Sequence, residues 1–156
     1  MRYAAYKAWP RFAAVLGACA MLCMADDRGW AQESTSSVLD GIYTDAQAAR
    51  GASAYPQHCA ACHGASLGGL GEAPALIGAQ FISDFAGLTV GDLFDRIRTT
   101  MPLDNPSGLS RDLYADILSF ILKSNGFPAG QKDLNRRSEF LNAIRFEAPA
   151  AGAGTR

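Results

Sequence analysis

Apolar and polar positions along most of this chain follow a helical period. In SRDLYADILSFILKSNG, residues 110–126, Leu113, Ile117, Phe120 and Ile121 recur at three- and four-residue spacing. That spacing predicts one apolar helix face turned to a core. Ser110 is placed to cap the N-terminus, where backbone N–H groups lack partners. Asp112 and Asp116 lie toward that end and Lys123 toward the other, an order that suits the helix dipole. Asn125-Gly126 then ends the helix with residues that tolerate left-handed backbone.

A second amphipathic stretch, TVGDLFDRIRTT at 89–100, places Leu93, Phe94 and Ile97 on one face. Thr89 and Asp92 have capping-box spacing, with Asp in place of the usual Glu. MPLDNPSG, residues 101–108, breaks this helix with two prolines. Earlier, DAQAARGASAY at 45–55 is alanine-rich and helix-forming, with Thr44 or Asp45 as its cap. Gly51 inside it costs about 1 kcal/mol against alanine. It marks either the close approach of another helix or a neutral surface position.

Two stretches lack a clear period. GASLGGLGEAPALIGAQF and its flanks, 64–87, are rich in Gly, Ala and Pro and predict a long irregular segment. So small a domain tolerates such a segment only if something organises it. Residues 127–147 carry Leu134, Phe140, Leu141, Ile144 and Phe146 among polar positions, a pattern for a short helix or a strap packed on the domain. The end, 148–156, reads as a disordered tail. Three to five helices in an all-α arrangement are therefore expected.

The N-terminus differs from the rest. Arg2, Lys7 and Arg11 precede the uncharged run FAAVLGACAMLCMA, 12–25. A basic start followed by a short apolar run predicts a secretory signal peptide over 1–31, cleaved after Ala31, with Ala25 as the other site. The run is shorter than the roughly 20 apolar residues of a membrane span. An uncleaved anchor is the alternative, as is lipidation at Cys19 behind Leu16-Gly17-Ala18. Residues 32–44 then read as a linker, and 45–126 as the main domain.

Cleavage changes the charge and the cysteine count. The 156-residue chain has a formal net charge of −1; after Ala31, 10 Lys and Arg face 13 Asp and Glu, a charge of −3. The charges are scattered singly with no basic run, which argues against nucleic acid as a partner. Cys19 and Cys23 leave with the signal, so Cys59 and Cys62 are the remaining cysteines. They stand in HCAACHG, 58–64, with His63 directly behind the second.

Cys-x-x-Cys-His admits three readings. A thioredoxin-like dithiol needs an acidic cysteine in an α/β fold, and nothing here alternates strand and helix. A structural zinc site needs four well-spread ligands, whereas Cys59, Cys62, His58 and His63 share one hexapeptide. A disulfide between Cys59 and Cys62 would close too small a loop to stabilise much. Covalent haem attachment uses this spacing: two thioethers pin the porphyrin edge and the next residue is held beside the iron. An export signal agrees with that reading. Met101 is the one methionine outside the signal, 38 residues beyond His63, in the proline-broken loop. It is the candidate for the sixth iron position, a ligand that raises the potential. His58 is the other histidine, and backbone reach argues that it stays away from the distal face.

Residues 45–125 resemble the class I cytochrome c family. The resemblance rests on Gly51 and Tyr55 in the first helix, CAACH at 59–63, AlaProAlaLeu at 73–76, Met101-Pro102, and a last helix carrying Tyr114. It implies an all-α class I cytochrome c fold around one covalently bound haem c, with Cys59 and Cys62 as thioethers and His63 and Met101 as axial ligands. It also implies that Pro74 offers its carbonyl to His63, and that the first and last helices cross at a small residue and an aromatic, here Gly51 and Tyr114. GlyIleTyrThrAspAlaGlnAlaAlaArgGly and AsnGlyPheProAlaGly look like small cytochromes associated with quinoprotein dehydrogenases.

The implied function is one-electron transfer in the periplasm between redox partner proteins, not catalysis. A quinoprotein dehydrogenase is the candidate donor, and a terminal oxidase or another cytochrome the acceptor. Membrane contact is expected only if the N-terminus is uncleaved or lipidated, as in a tethered subunit of a membrane oxidoreductase. A haem enzyme or a gas or redox sensor with a displaceable Met101 is the other alternative, with Arg96 and Arg98 as the nearest basic residues.

Overall fold

The computed structural model describes residues 36–149. The signal peptide expected over 1–31, with Cys19, and most of the tail expected over 148–156 lie outside the described residues. Six α-helices, one 3-10 turn and two short strands follow one another: β1 (Ser36–Ser37), the 3-10 turn (Val38–Asp40), α1 (Asp45–His58), α2 (Ala60–His63), α3 (Ala79–Phe85), α4 (Val90–Thr100), α5 (Arg111–Ser124), α6 (Ser138–Leu141) and β2 (Ile144–Arg145). α2 and α6 are single turns of four residues. The expected all-α architecture is present.

The main helices start where their side chains can cap them. Thr44 accepts from the Gln47 N–H at 3.0 Å and Ser110 from the Leu113 N–H at 3.2 Å. Thr89 and Asp92 form a full capping box at the start of α4. Each such cap is worth about 1 kcal/mol. α1 and α5 form the central crossing. Gly51 sits there against the Asp116 backbone and the Phe120 Cβ. Tyr55 packs on Phe120 with ring centroids 5.3 Å apart. The aromatic facing Gly51 is thus Phe120, six residues beyond the expected Tyr114.

Leu93 and Phe94 of α4, and Ile117, Leu118, Ile121 and Leu122 of α5, are buried in the core beside this crossing. Within 64–87, expected to be irregular throughout, α3 forms at Ala79–Phe85. Phe81 and Phe85 lie one turn apart on it and pack with their rings tilted, centroids 5.2 Å apart, so packing of aromatics overrides the poor local propensity.

The C-terminal residues close the molecule. Phe146 is fully buried among Phe81, Phe85 and Phe127, its ring 5.2 Å from that of Phe127. Burying a side chain of this size contributes about 1.5–3 kcal/mol. β2 pairs in parallel with β1, Ser36 opposite Ile144 and Ser37 opposite Arg145. Gln47 of α1, itself buried, exchanges two hydrogen bonds with the Leu134 backbone. Segment 36–44, read from sequence within a linker, contributes Val38 and Tyr43 to the core, and the Tyr43 hydroxyl donates to the Phe127 carbonyl at 2.6 Å. Its small polar residues hid these two apolar anchors. Among the described residues, no helix is long and apolar enough to cross a membrane.

Candidate functional site

The Cys-x-x-Cys-His stretch occupies the junction of α1 and α2. Pro56 lies in the last turn of α1, and the chain bends at Cys59, which caps both helices. The Cys59 carbonyl accepts from the Cys62 N–H at 3.2 Å and the His63 N–H at 2.9 Å. One tight turn therefore carries both thiols and the imidazole. Cys59 is half-buried, Cys62 exposed, and His63 nearly buried at 8% exposure. Both thiols are unpaired.

Gly64 turns the chain out of α2 with φ +75°. The buried Tyr55 hydroxyl donates to its carbonyl at 2.9 Å. The loop beyond returns on itself: Gly69 N–H donates to the His63 carbonyl at 2.9 Å, and Leu76 N–H to the Leu67 carbonyl at 2.7 Å. This return places the Pro74 carbonyl oxygen 2.8 Å from His63 Nδ1. The Nδ1–H donates to it, which fixes the tautomer and leaves Nε2 as the nitrogen free to bind a metal. Asn125, read from sequence only as a helix stop, pins the far end of the loop. Its amide donates to the Leu76 carbonyl and accepts from the Gly78 N–H, both at 2.9 Å. No periodicity signals such a bond across the fold.

Met101 stands apart from this turn, as the residue that closes α4. Its N–H donates to the Ile97 carbonyl at 2.9 Å and its side chain is half-buried. The following loop is exposed, Leu103 most of all. His58 lines a cavity of about 190 Å³ together with Pro102, Asp104, Asn105 and Leu109. It thus borders the loop that follows Met101, although Met101 itself is not in the lining.

The chemistry of these donors discriminates between the readings. Among the described residues, no three His, Cys, Asp or Glu side chains cluster to hold a metal ion, so tetrahedral zinc has no ligand set. Burial pushes the Cys59 thiol up to about 11, the wrong direction for a redox-active dithiol. Two unpaired thiols beside an imidazole with one committed nitrogen fit a haem held by thioethers and one axial histidine. Leu76, Ile77, Ile97, Leu109 and Leu113 are half-buried apolar side chains at the core surface, as a porphyrin face requires.

Residues 46–121 match the family model described as cytochrome c oxidase, cbb3-type, subunit III. No curated protein and no solved structure gives a significant match. The family match, with the helical architecture, supports a class I c-type cytochrome fold, covalently bound haem c, and electron exchange with redox partner proteins.

Proposed function

We propose that this protein is an exported monohaem cytochrome c that carries single electrons in the periplasm. Cys59 and Cys62 would hold the haem through thioethers, and His63 and Met101 would ligate its iron. The bound haem supplies one-electron exchange at its iron. The chain's own residues hold and tune it: Pro74 orients His63 through Nδ1 and raises the basicity of Nε2. With both axial positions taken by protein, no position is left for a substrate, so the protein is a carrier and not an enzyme. The observation that carries this reading is the 2.8 Å contact of His63 Nδ1 with the Pro74 carbonyl, on the same turn as two unpaired thiols.

A quinoprotein dehydrogenase as donor, and a terminal oxidase or another cytochrome as acceptor, complete the proposed role. The description of the matched family favours a second arrangement, a tethered subunit of a membrane oxidoreductase. The mass of the N-terminus of exported protein separates the two: a start at Gln32 supports the free carrier, a retained or lipidated start the tethered one.

The test of the central reading is haem staining after denaturing electrophoresis, with visible spectra of oxidised and reduced protein from cells equipped for c-type maturation. Stain on the denatured chain, low-spin bands and the weak sulfur-to-iron band are expected. Absence of covalent haem would overturn the attachment site; a high-spin spectrum would move the protein to the haem enzyme or sensor class.

A further inference from the structure

The loop that carries Met101 is weakly tied to the body. Residues 101–109 run between α4 and α5, and all from Leu103 to Gly108 are exposed. Two internal bonds, Asn105 N–H to the Pro102 carbonyl and Gly108 N–H to the Asn105 carbonyl, both 3.0 Å, shape its tip. They do not join the tip to a helix. Backbone bonding reaches Met101 from α4, through Ile97, and ends there.

One side chain bridges the gap. Tyr114, in the first turn of α5, is 1% exposed. Its hydroxyl donates to the Met101 carbonyl at 2.6 Å and accepts from the Leu109 N–H at 3.4 Å. Among the described residues, it is the only side chain from outside the loop that hydrogen-bonds to it. It ties the first residue of the loop to the last, and both to a buried position in α5. The resemblance assigned Tyr114 a different task, packing against Gly51, which Phe120 performs instead.

We propose that Tyr114 is the positioning residue for Met101, resting on the reading of Met101 as the sixth iron ligand. By holding the Met101 carbonyl, it limits the excursions of the loop and so sets how readily Met101 yields its place to an external ligand. The ring packs in the core, and the hydroxyl does the positioning.

The experiment is imidazole titration of oxidised holoprotein, followed by loss of the sulfur-to-iron band, for wild type, Tyr114→Phe, Tyr43→Phe and Met101→Ala. Tyr43→Phe is the matched control, since it also removes a 2.6 Å bond from a buried tyrosine hydroxyl to a backbone carbonyl, that of Phe127. Tyr114→Phe should bind imidazole about fivefold more tightly than wild type, the effect of losing one ordinary hydrogen bond. Tyr43→Phe should bind as wild type does, although both variants lose similar stability. Equal imidazole affinity in Tyr114→Phe and wild type would overturn the proposal. So would an equal gain in Tyr43→Phe, which would reduce the effect to general loosening. Met101→Ala reports on the underlying assignment: it should lack the band before any imidazole is added. If it behaves as wild type, Met101 is not the ligand and the failure lies there, whatever Tyr114→Phe shows.

Discussion

Gly69 and Ala73 are in backbone contact across the loop behind His63: a β-carbon on Gly69 would stand 2.5 Å from the Ala73 carbonyl oxygen. It would also lie 2.9 Å from the Ala75 nitrogen and 3.0 Å from the Pro74 carbonyl carbon. The carbonyl that accepts from His63 belongs to this strand of chain, so Gly69 governs it sterically.

Gly69→Ala should therefore displace Pro74 and weaken its bond to His63. The clash and the left-handed φ of +77° together should cost about 1–3 kcal/mol. His63 becomes a poorer donor without its acceptor, so the reduction potential should rise. Gly71→Ala is the comparison, because φ there is +56° but nothing lies within 4 Å of the added carbon. It should lose some stability and keep its potential. Denaturant midpoints and potentiometric titration of the two variants check this; equal potentials would show that Gly69 does not act through Pro74.

Gly51→Ala should loosen the central helix crossing. The added carbon would lie 1.9 Å from the Asp116 carbonyl oxygen, inside any permissible contact. Alanine's better helix propensity returns about 1 kcal/mol, less than the cost of separating α1 from α5. A net loss of about 2 kcal/mol and a lower yield of haem-loaded protein are expected, read from thermal unfolding and haem stain per unit protein. A variant as stable as wild type would show that the helices slide apart freely.

The parts of this fold that repeat with a helical period were legible in the sequence. The apolar faces of α4 and α5 and the caps at Thr89 and Ser110 follow from residue type and spacing, whereas the cap at Thr44 and the close approach at Gly51 were each one of two readings those residues allowed. Contacts between distant segments were not legible. Phe120 rather than Tyr114 faces Gly51 because the crossing point depends on how far α5 slides along α1, which spacing within one helix does not encode. Val38 and Tyr43 look like residues of a polar linker until the C-terminal extension is laid against them. His58 shares a cavity with Pro102 and Leu109 through tertiary packing, which reach along the chain does not encode. For the site, Cys-x-x-Cys-His named its own chemistry, whereas the bonds made by Asn125 and Tyr114 to loop carbonyls leave no trace in residue order.

Acid should loosen the C-terminal extension through Asp133. The Thr44 hydroxyl and then the Arg50 guanidinium bond to its carboxylate and hold it below the ordinary range. A lowered folded value means the stabilisation is complete above the unfolded value, about pH 4, and is lost as pH falls through the lower folded value. Asp133→Asn should thus be less stable than wild type at pH 7, with the difference shrinking below about pH 4. Melting temperatures of both proteins from pH 7 to pH 2.5 test it. Parallel curves over that range would show that the pair is too solvated to matter.

Met101→Ala should lower the reduction potential, because a thioether donor favours reduced iron more than the oxygen or nitrogen ligands that can replace it. The sulfur-to-iron band should vanish. What takes the position depends on His58, which shares its cavity with Pro102, Asp104 and Asn105 of the same loop. If water enters, the oxidised spectrum turns high-spin and a small external ligand restores low-spin bands. If His58 swings in, the spectrum stays low-spin without the sulfur band, and adding His58→Ala to Met101→Ala converts it to high-spin. An unchanged potential and an unchanged low-spin spectrum in Met101→Ala, with no sulfur band in either protein, would remove Met101 from the iron altogether and leave His58 as the histidine to test at that position.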